Sequence, residues 1–139
     1  MTAPDLDLHR AIVTKLRADA TLLTLIGNPL RLYEDPPTDG AWTLAYVTVG
    51  DGQNVPDQVQ GLNGAEVYAA LHVWSRGSGW AECKRIADAL YDALNEADLS
   101  LGGSRCVLID HDGTNYLRDP DGKTKHAVVT FRALTEPTA

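Results

Sequence analysis

The sequence is short of cysteine, of positive charge and of long apolar runs, and each shortage removes a class of protein. It has two cysteines, Cys83 and Cys106, with no Cys-x-x-Cys spacing between them. Two reduced, largely buried thiols are therefore expected, and neither a disulfide scaffold nor a cysteine zinc site. Lys and Arg together number 12 against 19 Asp and Glu, giving a net charge of −7 and a pI of about 4.9. Tight wrapping of nucleic acid needs a basic footprint, so that class is excluded. No apolar run approaches the roughly 20 residues of a membrane span. The opening stretch from Met1 to Leu16 carries Asp5 and Asp7 where an apolar signal-peptide core would stand, so we expect no signal peptide and assembly in a cytoplasm. No internal repeat or low-complexity tract is visible. What is present, 139 residues with 44% hydrophobic and 22% charged, suffices for one hydrophobic core and points to a single domain.

Periodicity supplies the elements. Pro4, Leu8, Ile12 and Leu16 fall at helical spacing, and Asp19 is placed to cap a short second helix carrying Leu22, Leu23 and Ile26, stopped by Gly27 and Pro29. Leu30 to Tyr33 is a short extended piece, and Glu34 to Gly40, with Pro36-Pro37 and Asp39-Gly40, reads as a loop. Thr43 to Val49 alternates as a strand. The run GDGQNVPDQVQGLNG, residues 50–64, has four glycines and little to bury, which predicts a long flexible loop. Glu66 to Trp74 alternates again, with Val67, Ala69, Leu71 and Val73 on one face and Tyr68, His72 and Trp74 on the other. Apolar or aromatic groups on both faces suggest a mid-sheet strand, or one whose second face meets another subunit. Ala81 to Ala97 is the strongest helix, with Cys83, Ile86, Leu90 and Leu94 on its stripe. Arg105 to Asp110 and Lys125 to Leu134 read as strands joined as an extended hairpin through Asp119-Pro120-Asp121-Gly122. The expected class is α+β: a mainly antiparallel sheet with helices packed on one face.

Motif chemistry is sparse. The elbow Arg76-Gly77-Ser78-Gly79 lies between a strand and a helix, where a phosphate loop would lie, but no Walker run is present, and a dinucleotide fingerprint from Gly77 meets Glu82 where it needs glycine. A carboxylate in the first helical turn would repel a phosphate. We read the elbow as a joint, with Ser78 or Gly79 as the helix N-cap. Asp110-His111-Asp112-Gly113 and Asp119-Pro120-Asp121-Gly122 lack the sixth-position glycine and twelfth-position glutamate of an EF-hand loop, so they read as turns. His9, His72, His111 and His126 lack zinc-ligand spacing, and no serine or cysteine stands in a Gly-x-Ser-x-Gly context. The row Asp88, Asp92 and Glu96 reads as a solvated helix face. No catalytic residue, metal or cofactor is expected.

Four stretches, LHRAIVTKLRADATLLTLIGNPLRLYEDPP, WTLAYVTVGD, GAEVYAALHVWSRGSGWAECKRIADALYDAL and DGKTKHAVVTFRAL, resemble the tail-terminator (tail-completion) family of long-tailed phages, prophages and gene-transfer agents. The similarity runs from about Leu8 to Leu134. Its most specific parts are the strand end His72-Val73-Trp74-Ser75 with the elbow, and the closing Phe131-Arg132-Ala133. The resemblance implies a non-enzymatic virion protein at the head-proximal end of the tail. There a hexameric ring caps the tail tube, stops its polymerisation and joins the head-side connector. Its partners would be further copies of itself, the major tail-tube protein and the connector, with DNA passing through unbound and no membrane involved. The alternatives are another neck protein, namely a head-completion or connector component, or a small cytosolic enzyme or ligand-binding domain. The family's loops vary too much to transfer an interface. Polar residues of the long loop and of the region after the Arg105 strand are the interface candidates: Asp51, Gln53, Asn54, Asp57, Gln58, Gln60, Asn63, Asp112 and Asn115.

Overall fold

A computed structural model describes residues 4–38, 42–57 and 64–137. Among these lie three helices, α1 (Pro4–Arg17), α2 (Ala20–Ile26) and α3 (Ala81–Leu94). The five strands are β1 (Leu32–Tyr33), β2 (Tyr46–Asp57), β3 (Gly64–Ser75), β4 (Ser104–Arg118) and β5 (Lys125–Pro137). The strands form one sheet in the order β1-β2-β3-β5-β4. Every neighbouring pair is antiparallel except β1 with β2, which is parallel. The α+β class expected from the alternating and helical patterns is the observed one.

All three helices lie on one side of the sheet, because one face of each strand is apolar. Val47 and Val49, Val67, Leu71 and Val73, Ile109, and Ala127, Val129, Phe131 and Ala133 share that face and are buried. Against them pack Leu8, Ile12 and Leu16 of α1, Leu22 and Ile26 of α2, and Cys83, Ile86, Leu90 and Leu94 of α3. Asp7 is a buried exception on α1, satisfied by Gly103 N–H at 3.1 Å, which ties the helix to the segment entering β4. Asp19 caps α2 as expected, accepting from Leu22 N at 2.9 Å.

The structure corrects four readings of the sequence. Residues 50–57, read as half of a flexible loop, continue β2; its glycines are accommodated by a bulge between Val49 and Asp51, with Gly50 at φ 134°. Gly52 is needed for a different reason: a Cβ there would meet Tyr68 O on β3 at 2.1 Å. β4 likewise outruns its prediction by reaching Arg118, so Asp110-His111-Asp112-Gly113, read as a turn, is strand, with bulges between Cys106 and Leu108 and between His111 and Gly113 absorbing the break in alternation. The third correction concerns the elbow, which is capped by neither Ser78 nor Gly79. Trp80 occupies the N-cap without a side-chain bond, and the joint is held from behind. Ser75 Oγ donates to Glu82 Oε1 at 2.5 Å, Gly77 N–H donates to Ser75 Oγ at 3.3 Å, and Lys125 Nζ donates to Gly77 O at 2.9 Å. Finally, α3 stops at Leu94, so Glu96 leaves the helix; it turns at φ 58° and its N–H bonds Ile109 O at 2.8 Å.

Candidate interaction surface

Strand registers arrange the helix-free face in rows. Tyr46, Trp74, His126 and Leu117 form one row, and Thr48, His72, Val128 and Asn115 the next. Further along come Asp51, Ala70, Thr130 and Gly113, then Gln53, Tyr68, Arg132 and Asp110. Polar, aromatic and a few apolar groups here alternate with the apolar groups under the helices, and the described helices pack on the opposite face.

Its centre is an aromatic and imidazole stack. The Trp74 and His126 rings lie 3.8 Å apart and 10° from parallel, and His72 stacks on His126 at 5.0 Å. His72 Nδ1 is 2.7 Å from His126 Nε2. On its far side His72 Nε2 is 2.8 Å from Asp51 Oδ2 yet has no aligned hydrogen-bond acceptor, so that contact is one of proximity. Burial first, and then His72, hold the His126 pKa below its usual value, so His126 resists protonation. Beside the stack, Thr48 Oγ1 accepts from Trp74 Nε1 at 3.1 Å. Towards the other end Glu66 Oε1 accepts from both Tyr68 OH and Arg132 Nε, and these two bonds lower the Glu66 pKa, Tyr68 contributing most. Among the described residues, no group of His, Cys, Asp and Glu is placed to hold a metal ion, and no helix is long and apolar enough to cross a membrane.

Two grooves run along the β1–β2 side of the sheet, on either side of a bridge from His9 Nε2 to Glu34 Oε1 at 2.9 Å. The first, of about 570 Å³, lies between the start of α1 and the β2–β3 pair and is lined by Asp51, Gln53 and Asn54 among others. The second, of about 740 Å³, lies between α1 and β1, with Val13, Thr14, Leu32 and Tyr33 in its walls. Apolar groups stand exposed on both flanks of the sheet: Tyr33 and Leu44 on this side, Tyr116 and Leu117 on β4.

The candidates named from sequence divide accordingly. Asp51, Gln53 and Asn54 stand together on β2, and Asp57 is its last residue. Asp112 sits at the second bulge of β4 and Asn115 pairs with Val128; β3 and β5 separate these two from the β2 group. Gln58, Gln60 and Asn63 lie outside the described residues. Sequence reasoning missed the meeting of His72 with His126. Both were placed on strands, but the β3–β5 pairing that joins them spans an intervening helix and strand and leaves no local mark.

Exposed apolar groups on both flanks and a sheet covered by helices on one side only suit a protein that works through its surfaces, an assembly subunit. The profile of the family described as tail completion protein gp17 matches residues 10–136. The chain belongs to that family. It is 26% identical over 125 residues to the tail completion protein gp17 of Bacillus phage SPP1, covering 90% of this chain and 89% of that protein. A chain in the solved virion of a native gene transfer agent particle superposes with a TM-score of 0.85 at 29% identity, covering 97% of this chain and 99% of that one. The solved SPP1 gp17 protein shares the fold, at a TM-score of 0.59 and 22% identity over 93% and 88% of the two chains. The protein is thus a structural tail-completion component of a virion, and not an enzyme.

Proposed function

We propose that this chain is the tail terminator: a hexameric ring at the head-proximal end of the tail that stops tube polymerisation and presents the head side with a docking surface. The observation that carries this reading is the near-complete overlay, 97% of the chain, on a subunit of an assembled gene-transfer-agent virion. The charge suits it, because an acidic ring around a channel repels the DNA backbone and lets it slide. The surfaces suit it as well, since a ring needs two different contact patches on each subunit, and the interface candidates among the described residues fall on two separate strands, β2 and β4. In this role Asp51, Gln53, Asn54, Asp57, Gln58, Gln60, Asn63, Asp112 and Asn115 contribute to contacts with neighbouring copies, the tail-tube protein or the connector. The test is to label the chain at a surface site and image purified tails. Label at the head-proximal tip alone is the expected result, and label along the tube or at the distal tip would reject the reading.

A further inference from the structure

We propose that the next copy in the ring docks β4 residues Asn115–Arg118 against β1, so that Tyr116 of one subunit enters the groove between α1 and β1 of its neighbour. This names the partner surface of the ring and rests on the terminator reading.

Three observations lead to it. First, the two flanks are chemically open and different. Leu117 is 50% exposed and Tyr116 38% on one side, with Leu44 62% and Tyr33 38% exposed on the other. Among the described residues β1 is two residues long and pairs with β2 alone, while β4 pairs only with β5. Exposed apolar edges of this kind are normally shielded. The middle of β4 is indeed shielded, by bonds from Glu96 N to Ile109 O and from His111 N to Asn95 Oδ1. Its last residues have no such cover from the α3–β4 connection, and the exposed pair Tyr116–Leu117 lies there.

Second, the two flanks share one register. Leu32 is level with Val47, Val73, Ala127 and Tyr116 in turn, and Tyr33 with Thr48, His72, Val128 and Asn115. A head-to-tail contact between two flanks in register repeats from copy to copy, and it makes a ring where the rotation closes. β1 and β4 run in opposite senses, and the twist of the sheet rotates one edge against the other, so the contact is made by side chains of the two edges.

Third, shape and charge fit. Tyr116 lies on the helix side of the sheet, beside Trp80 of the elbow, and the groove of about 740 Å³ opens on the helix side of β1. Lys84 Nζ sits 5.0 Å from the Tyr116 ring centre and Arg118 Cζ 5.7 Å from that of Trp80. The exposed carboxylates Glu34 and Asp35 follow β1 directly. Asp88 also acts electrostatically on Tyr116, so apolar area leads the contact and charge assists it.

The test is a disulfide between Tyr33→Cys and Asn115→Cys in one chain carrying Cys106→Ser. The two positions are four strand spacings apart within a subunit, about 19 Å, far beyond disulfide reach, so any bond formed joins two copies. Tails purified from producing cells are oxidised and run on non-reducing denaturing gels. The expected result is a ladder of linked copies from the double variant and monomer from each single variant. Leu117→Lys should empty tails of the chain while the free protein keeps its melting temperature within a few degrees. Val107→Lys, on the other end of β4, should assemble normally. Unlinked monomer from tails that show a terminal ring by microscopy, or normal assembly of Leu117→Lys, would overturn this contact and leave the terminator reading intact. Dimers from a single variant would overturn it in favour of a two-fold contact. Tails without a terminal ring would overturn both.

Discussion

Truncating Leu90 to alanine measures how far the helix α3 stripe, and not local preference, holds the fold. Leu90 is 1% exposed and packs with Ile86 and Leu94 into the cluster that includes Phe131 and Val129 of the sheet. Removing three side-chain carbons loses about 2.4 kcal/mol of transfer free energy at about 0.8 kcal/mol per buried group. A cavity term adds to this at about 24 cal/mol per Å³ that the surroundings fail to fill. The helix lies on the middle of the sheet beside α1 and α2, and β3 and β5 beneath it are each paired on both sides, so little collapse can follow. The expected loss is therefore about 3–5 kcal/mol, a large part of the roughly 5–15 kcal/mol that holds a typical domain. Equilibrium urea unfolding of both proteins checks it, with exposed Asp88→Ala as the control, expected within about 0.5 kcal/mol of the parent. A Leu90→Ala loss below about 1 kcal/mol with unchanged cooperativity would refute the packing argument.

Gly52→Ala should cost about 1–3 kcal/mol by forcing β2 off β3 at Tyr68 O, which the same unfolding assay reads; no loss would mean the strands are not in the observed register. Asp19→Ala should cost about 1 kcal/mol and Ser78→Ala no more than a few tenths, because only Asp19 makes a capping bond; equal losses in thermal melts would contradict the cap assignment. The lowered His126 pKa makes a sign prediction. Below the ordinary histidine value of about 6.5 the unfolded chain binds protons that folded His126 resists, so stability falls as pH drops through that window. His126→Gln should flatten the dependence between pH 7.5 and 5.5, and an unchanged slope would contradict the assignment.

The residues explain what was legible in the sequence. The helices and the alternating strands were readable because Leu8, Ile12 and Leu16, or Val67, Leu71 and Val73, recur at the period their geometry imposes. Strand extent was hidden wherever a bulge broke that period, as at Gly50 on β2 and Asp112 on β4, and glycines read as flexibility where Gly52 in fact admits a neighbouring backbone. Ser78 looked like a cap because its residue type suits one, while the actual anchor, Glu82 bonded to Ser75, depends on a tertiary turn. The exposed flanks were unreadable for a plainer reason: an exposed leucine such as Leu117 differs from a core leucine only once the strand order is known. The polar candidates were legible as residues, yet the separation of those on β2 from those on β4 by β3 and β5 is a property of topology.

Tail length tests the account most directly. Tails from cells lacking this chain should be imaged beside tails from cells resupplied with it, and tube lengths and head attachment scored on the same grids. The terminator reading predicts a broad distribution extending well past the normal length, with free heads, and a return to one length and joined particles on resupply. Tails of normal, uniform length in the absence of the chain would contradict it.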